Sequence, residues 1–359
     1  MLDKCLYVED FVGALDNVSS AFQWPCEAKR IMADVGMNLC KWISNSKELL
    51  QTWEDKGFKI HPIHSKANPT EKLQKVLGLP WHVHQDYITI HVKDLLEFNK
   101  GESVTKRTVL KTTGKLYDGL GLLTPMSLKC QFQELWLRKC SWDAELPADL
   151  LQKYTQWKLE LSDITNLQVP RMILDGSLGD ANELQICVFS DASQGAYGTA
   201  VYLRVKNVDK ISVNLIASKS RVAPLKKLYQ NLNSWGIARS QTCEKLEQII
   251  ILLWTKGPHH KWKQFVSKRV KEIQALSNPE VWLHIPGKLN IANLVTRGVS
   301  VEGLLKNETW CSGPVFLRTN EVSVFQGNNS IPEEYYISEM KKRFSCVEGD
   351  IPVCFAATN

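Results

Sequence analysis

Two adjacent acidic side chains near the start of the sequence have types and spacing suited to metal-ion chemistry. Glu9 and Asp10 lie in the segment KCLYVEDFVG, where apolar and polar residues alternate on both sides of the carboxylate pair. This alternation around a short polar step predicts a tight β-hairpin. Glu9 and Asp10 are therefore the candidate site residues of this hairpin. A solvated turn with two acidic residues is the alternative interpretation.

A second candidate site combines positive charge with tryptophan in the C-terminal half. Residues 251–300 contain eight lysines and arginines against two glutamates, an excess that equals the formal charge of the whole chain, +6. Basic side chains bind phosphates and tryptophan stacks on bases, so this mixture predicts nucleic-acid binding. The candidate residues are Trp254, Lys256, Lys261, Trp262, Lys263, Lys268, Arg269 and Arg297. A solvated basic helix face is the alternative that composition leaves open.

Composition places both sites in a globular protein. With 359 residues, of which 44% are hydrophobic and 23% charged, the chain can bury a core and form two or three domains. Its 10 cysteines form no CxxC pair and no zinc-spaced cluster, which indicates reduced thiols of an intracellular protein, cytoplasmic or nuclear. The sequence shows no signal peptide and no apolar run of roughly 18 residues, so we expect no membrane association.

The N-terminal third combines short strands with one amphipathic helix. The segment WPCEAKRIMADV has apolar residues at helical spacing, so we expect a helix from Trp24 to Val35 with Pro25 in its first turn. Period-two patterns indicate a strand at residues 37–44 and two more strands within residues 75–92.

The pattern becomes helical between residues 104 and 165, and a loop then leads into a series of strands. Short polar turns join three strand candidates in a meander, at residues 184–190, 196–205 and 211–220. Helices follow to about residue 275, and a last helix begins near Asn290. Together these patterns predict an α+β fold in which helices flank a meander sheet.

Ordered motifs in this sequence resemble those of the Pol polyprotein of Bel/Pao-type LTR retrotransposons. Tyr7-Val8-Glu9-Asp10 is similar to the Tyr-x-Asp-Asp hairpin of reverse transcriptases, whose carboxylates hold two Mg²⁺ ions for nucleotidyl transfer. Glu9 replaces the first Asp. Its side chain is one methylene longer, which shifts the carboxylate from the position that the octahedral geometry of Mg²⁺ requires. Residues 105–161 resemble the segment after the palm in this family, although Gly119 stands where the family has Pro.

Residues 184–220 and 284–300 resemble two parts of the family's RNase H-like domain. Asp191 takes the place of the Asp that ends the first strand and faces the metal pair. Asn233 stands where the family carries Glu, and Asn293 replaces the Asp of the family's His-x-Pro-Gly-x-x-Asn-x-Ala-Asp signature. The family's Trp-Ser-Asp-Ser strand, which carries a further carboxylate, is missing from its place between these motifs.

The resemblance implies a domain order along a truncated chain. Residues 1–103 are the end of a reverse transcriptase palm, and residues 104–180 are a helical thumb or connection (Pao) region. Residues 181–300 are a degenerate RNase H-like domain, and residues 301–359 are a tail toward a missing integrase region.

The resemblance also implies what the chain does. The family's activities are RNA-directed DNA polymerase and RNase H, its cofactor is Mg²⁺, and its partner is RNA/DNA hybrid or single-stranded nucleic acid. Two-metal chemistry needs several converging carboxylates, and only Glu9, Asp10 and Asp191 remain as ligands. We therefore expect an inactive fragment that holds no Mg²⁺ and keeps some nucleic-acid binding.

Two alternatives stay open. The chain is an active polymerase or RNase H component if other polypeptides, or a corrected gene model, supply the missing segments. Otherwise it is a non-functional product of a decayed element, in which the lost strand leaves sheet edges exposed and the chain aggregates. The sequence does not determine the oligomeric state.

Overall fold

The computed structural model describes residues 5–7, 10–15, 17–62, 74–97, 103–130, 133–173, 183–193, 196–222 and 254–319. Contacts divide this part of the chain into two compact units, one formed by the residues up to 222 together with 288–319, the other by residues 254–287. None of the helices in these ranges is both long and apolar enough to cross a bilayer. Glu9, Asn233, the place of the missing strand and the sequence beyond residue 319 lie outside the described residues.

The described strands form three antiparallel sheets. A hairpin pairs β1 (Leu6–Tyr7) with β2 (Asp10–Phe11). A four-stranded sheet has the order β3 (Gln74–Val76), β4 (Leu79–His82), β5 (Tyr87–Ile88) and β6 (Val169–Pro170). A three-stranded sheet has the order β7 (Glu183–Ala192), β8 (Ala196–Lys206) and β9 (Ile211–Val222).

Helices surround these sheets. In the first unit they are α1 (Val18–Asp34), α2 (Lys47–Asp55), α3 (Lys93–Glu97), α4 (Lys106–Lys115), α5 (Thr124–Cys130), α6 (Gln133–Leu137) and α7 (Ala148–Glu160). The second unit contains α8 (Gln264–Leu276). After it, the first unit continues with α9 (Asn293–Arg297), α10 (Val301–Leu305) and α11 (Glu308–Ser312). Short 3₁₀ segments are Leu161–Asn166, His259–Lys261, Pro279–Val281 and Val315–Arg318.

Much of the predicted element pattern is confirmed. The first residues form a hairpin in which Tyr7 is paired with Asp10. The meander is present as β7, β8 and β9, each within two residues of its predicted bounds, because period-two patterning is strong when one sheet face is buried. Helices occupy most of residues 104–165, as predicted. The fold is α+β.

Two predicted elements near the N-terminus need correction. Helix α1 starts at Val18 rather than Trp24, because the Asn17 side chain caps it by accepting the N–H of Ser20 at 2.8 Å. Pro25 therefore lies inside the helix and not in its first turn. Residues 37–44 form no regular strand: Trp42 makes only an isolated parallel bridge with Ile60, next to Lys41 at φ +60°.

The region of residues 75–92 also differs from the prediction, since it contains three strands instead of two. A turn ends at Asp86, whose φ is +55°. The Asp86 carboxylate accepts hydrogen bonds from the Trp81 indole at 2.9 Å and from the Arg171 guanidinium at 2.6 Å. These bonds hold β6 next to β5, so the end of the helical region is paired with a strand that precedes it by more than 80 residues.

Residues 301–319, which we assigned to a tail, are packed against the sheet. The buried Trp310 donates its indole N–H to Leu122 O at 2.8 Å and accepts the Tyr202 hydroxyl at its own carbonyl oxygen, also at 2.8 Å. Burial raises the pKa of the Tyr202 phenol far above its ordinary value, so the hydroxyl remains a donor. The buried Arg204 guanidinium donates to the carbonyl oxygens of Leu317 and Thr319. The domain boundaries themselves remain predictions.

The turn before α5 covers the outer edge of β9. Asp118 accepts the backbone N–H groups of Leu122 and Leu123 at 2.7 and 2.8 Å, and burial raises the pKa of its carboxyl group while these bonds oppose the rise. Next in the turn, Leu120 O accepts the N–H of Ser218 at 2.9 Å and Gly121 O accepts its hydroxyl at 2.6 Å. These bonds cover the outer edge of β9 at Ser218 and hinder its pairing with other chains there.

We predict that Gly121→Ala strongly destabilises the fold. Gly121 has φ +76°, and an added Cβ would overlap the backbone of Ser218. The strain and the displaced turn should lower the free energy of unfolding by at least about 2 kcal/mol. Chemical denaturation measures this change. Gly114→Ala is the matched control, because nothing lies within 4 Å of an added Cβ and alanine favours the helix. Equal stability of the two variants would contradict the close approach.

Candidate functional site

The predicted catalytic Asp191 lies near the end of β7 on the covered face of the three-stranded sheet. It is paired with Gly198 of β8, and only 7% of its surface is exposed. The alternation of the strand places Phe189 on the same face, where it packs edge-on against Tyr202. Asp191 is thus a carboxylate at the margin of a hydrophobic core.

Helix α9 lies directly over Gly198. A Cβ at this position would collide with Cγ1 of Val295, which is fully buried. The segment before the helix is fixed by Asn290, whose side-chain amide donates to Ser190 O at 3.0 Å and whose Oδ1 accepts the N–H of Ala292 at 3.1 Å. Glycine on the strand and asparagine before the helix therefore bring the end of β7 and α9 together.

The contact between α9 and Asp191 is a hydrogen bond. The buried hydroxyl of Thr296 donates to Oδ2 of Asp191. Asn293, predicted at a former acidic position, is the first residue of α9 and lies one turn before Thr296. The structure thus brings Asp191 and the helix of Asn293 together, and it adds Thr296 as a partner that sequence reasoning missed.

Other predicted carboxylates do not join this site in the described part of the chain. Asp10 is an exposed residue of the N-terminal hairpin. Within the described ranges, no group of three or more His, Cys, Asp or Glu residues is positioned to hold a metal ion. Among the described residues, Asp191 is therefore the acidic member of the candidate site.

The predicted nucleic-acid-binding tryptophans have a structural position. Trp262 is only 4% exposed and packs with Val266 and Val270, the inward face of α8. Trp254 packs against Trp262, with ring centroids 6.3 Å apart. Because Trp262 is in the core of this small unit, the prediction that it stacks on bases is wrong.

The predicted basic residues are divided between the two units. Arg297 is an exposed residue at the end of α9, in the unit that contains the sheet. The others belong to the second unit, where Arg269 pairs with Glu272 at 2.8 Å and Lys256 lies 3.9 Å from Glu280. Four exposed lysines of this unit have no acidic partner among the described residues: Lys261, Lys263, Lys268 and Lys271.

We predict that Thr296→Val destabilises the first unit. Valine keeps the shape of threonine but removes the hydroxyl donor from a buried carboxylate, which should cost about 1–3 kcal/mol of unfolding free energy. Thr296→Ser keeps the donor and is the matched control. Urea denaturation of both variants measures the difference. If valine were as stable as threonine, the Asp191–Thr296 hydrogen bond would not hold α9 on the sheet.

Comparison with known proteins agrees with this geometry. Residues 105–238 match the model of the Pao retrotransposon-like RNaseH-like domain family, and no curated protein or solved structure matches the chain. The match crosses the boundary that we predict near residue 180, so it includes helices α4 to α7 as well as the sheet. Residues 105–238 thus form a segment similar to the Pao retrotransposon-like RNaseH-like domain, which supports a relationship between this chain and the Pol proteins of Bel/Pao retrotransposons.

Proposed function

We propose that this chain is a non-hydrolytic fragment of a Pol polyprotein, which keeps an RNase H-like scaffold and binds nucleic acid by charge. The environment of Asp191 carries the proposal. Its carboxylate accepts the hydroxyl of Thr296, and the helix that supplies this hydroxyl has Asn293 where the family signature has Asp. An asparagine amide fits the space of an aspartate but supplies no negative charge to attract a cation.

The residues at Asp191 do not fit the magnesium pair that the family implies. Two divalent cations about 4 Å apart repel each other, and several carboxylates must offset this repulsion. Asp191 supplies one negative charge, and the neighbouring hydroxyl and amide are neutral. We therefore assign no hydrolytic step to this site, and we propose that Asp191 serves to hold α9 on the sheet.

Charge rather than stacking is the proposed mode of nucleic-acid binding. The second unit has six lysines and arginines against two glutamates within residues 254–287. Lys263, Lys268 and Lys271 are exposed, whereas Trp262 is buried. Lysine ammonium groups bind phosphates without reading sequence, so binding to both hybrid and single strands is expected.

The N-terminal hairpin supports a second part of the proposal, a reverse transcriptase palm origin for the first residues. Tyr7 and Asp10, the first and last residues of the Tyr-Val-Glu-Asp motif, are paired in the hairpin. The exposed Asp10 and the longer Glu9 side chain replace the usual pair of aspartates. Loss of one short carboxylate from such a pair favours a structural fragment over a polymerase.

We predict that the purified chain does not cleave the RNA strand of an RNA/DNA hybrid in the presence of Mg²⁺. Gel analysis of end-labelled hybrid should show equal, background-level cleavage for the chain and for Asp191→Asn. Asn293→Asp should also remain at background, because one restored carboxylate does not complete a two-metal site. Mg²⁺-dependent cleavage that Asp191→Asn abolishes would overturn the proposal that the fragment is non-hydrolytic.

We also predict salt-dependent binding through the second unit. The chain should bind a labelled hybrid at low salt, and affinity should fall steeply as salt rises because counterions are released. The triple variant Lys263→Gln, Lys268→Gln, Lys271→Gln should bind more weakly at low salt. Its slope of log affinity against log salt should be smaller by about 0.9 for each lost phosphate contact. Fluorescence anisotropy measures both quantities.

The matched control for this experiment removes the same charge from the first unit. Lys47, Lys56 and Lys111 are exposed, and their replacement by glutamine changes the net charge equally. Binding by the control variant should match that of the unmodified chain. Equal losses in the two triple variants would show that net charge alone drives binding, and absence of binding at low salt would remove this part of the proposal.

A further inference from the structure

The three-stranded sheet has a second face, and this face is open at β7. The side chains of β7 that point away from the covered face are apolar and exposed: Leu184 at 47%, Ile186 at 69% and Val188 at 59%. On β8, Val201 and Leu203 are paired with Val188 and Ile186 and continue the same apolar surface. A contiguous exposed surface of this kind marks an interaction site in a folded protein.

The free edge of β7 adds directional hydrogen bonding to this surface. In the described part of the chain β7 pairs with β8 alone, so one side of the strand has unpaired N–H and C=O groups. Asn290 binds the carbonyl of Ser190 and covers that end of the strand. Residues 184–188 are therefore the stretch that is available to another strand.

We propose that this edge pairs with the same edge of a second copy of the chain, in a symmetric antiparallel dimer. The pattern of β7 is symmetric about Ile186, with Leu184 two residues before it and Val188 two residues after it. In an antiparallel pair centred on Ile186, that residue faces its own copy and each Leu184 faces a Val188. All three exposed apolar side chains of each copy then meet apolar side chains.

The charges along the strand are compatible with this register. Glu183 of one copy faces Phe189 of the other, and the carboxylate of Asp191 lies beyond the paired stretch on the covered face. A register centred one residue later would place Glu183 opposite Asp191 and would bring two acidic residues together, which destabilises a strand pair. The centre at Ile186 is favoured for this reason.

The dimer also limits its own growth. Pairing of the two β7 edges gives a six-stranded sheet whose outer strands are the two copies of β9. The turn at Leu120 and Gly121 already occupies the outer edge of β9 through its bonds with Ser218. The two-fold pairing uses the β7 edge of both chains, and the turn at Ser218 hinders further pairing at the outer strands, so association favours two chains over a fibre.

Sedimentation velocity over a range of concentrations tests the proposal on the full chain. The unmodified chain should show a reversible dimer. Ile186→Lys places two like charges opposite each other at the symmetry axis and should raise the dimer dissociation constant by at least about 30-fold. Val208→Lys makes a similar change at a residue that is 81% exposed in the β8–β9 turn, and it should leave the dimer intact.

A disulfide trap distinguishes the edge contact from other modes of association. Directly opposed residues in an antiparallel pair have a Cα separation that suits a disulfide, so Ile186→Cys should give a covalent dimer on mild oxidation. Val208→Cys should give no more covalent dimer than the unmodified chain.

Three results would overturn the proposal. In the first, the chain is a monomer at all concentrations and the thiol introduced by Ile186→Cys reacts readily with maleimide; the surface would then be free for a different partner. In the second, the chain is a monomer and the introduced thiol resists maleimide; a segment of the same chain would then cover the surface. The third is a dimer that Ile186→Lys leaves unchanged. These outcomes are independent of nuclease activity and nucleic-acid binding, so the dimer does not depend on the proposed function.

Discussion

Close packing of helix α9 on the sheet depends on the absence of a side chain at Gly198. Val295 occupies the space that a Cβ would need, and only this approach lets Thr296 reach Asp191 and Asn290 reach Ser190. The two hydrogen bonds join residues 105 and 100 positions apart in the chain. The candidate site is therefore a product of tertiary packing, and the sheet and the segment 288–319 must fold together to form it.

The same packing covers one face of the three-stranded sheet, whereas the apolar side chains of β7 on the other face are exposed. Residues 301–319 add Trp310 and Leu317 to the covered face, where Tyr202 and the buried Arg204 give their polar groups to backbone carbonyls. The turn at Gly121 protects the edge of β9. No described residues give β7 similar protection, so its free edge is the place where a second strand gains most from binding.

Sequence reasoning located the elements with strong periodicity and the residues within ordered motifs. The strands of the meander and the hairpin around Asp10 followed from patterns in the sequence, and the position of Asp191 near the end of β7 followed from the family resemblance. The cap at Asn17 was missed although its residue type favours that role, and it moved the start of α1 past Pro25.

What the sequence could not provide was the partner of each side chain. Trp262 has the type of a base-stacking residue, but its burial with Val266 and Val270 is decided by tertiary packing. Thr296 lies within the signature that contains Asn293, yet nothing in the signature indicates that its hydroxyl faces Asp191. The packing of residues 301–319 was missed because short helices with single large anchors such as Trp310 have no clear period.

Calorimetric titration of Mg²⁺ into the purified chain and into Asp191→Asn tests most directly whether Asp191 holds the structure together instead of holding metal ions. We predict the same weak, unsaturated heats for both proteins and a lower unfolding temperature for Thr296→Val in the absence of metal. Saturable Mg²⁺ binding that is lost in Asp191→Asn would contradict this prediction, because such binding requires further ligands to converge on this carboxylate.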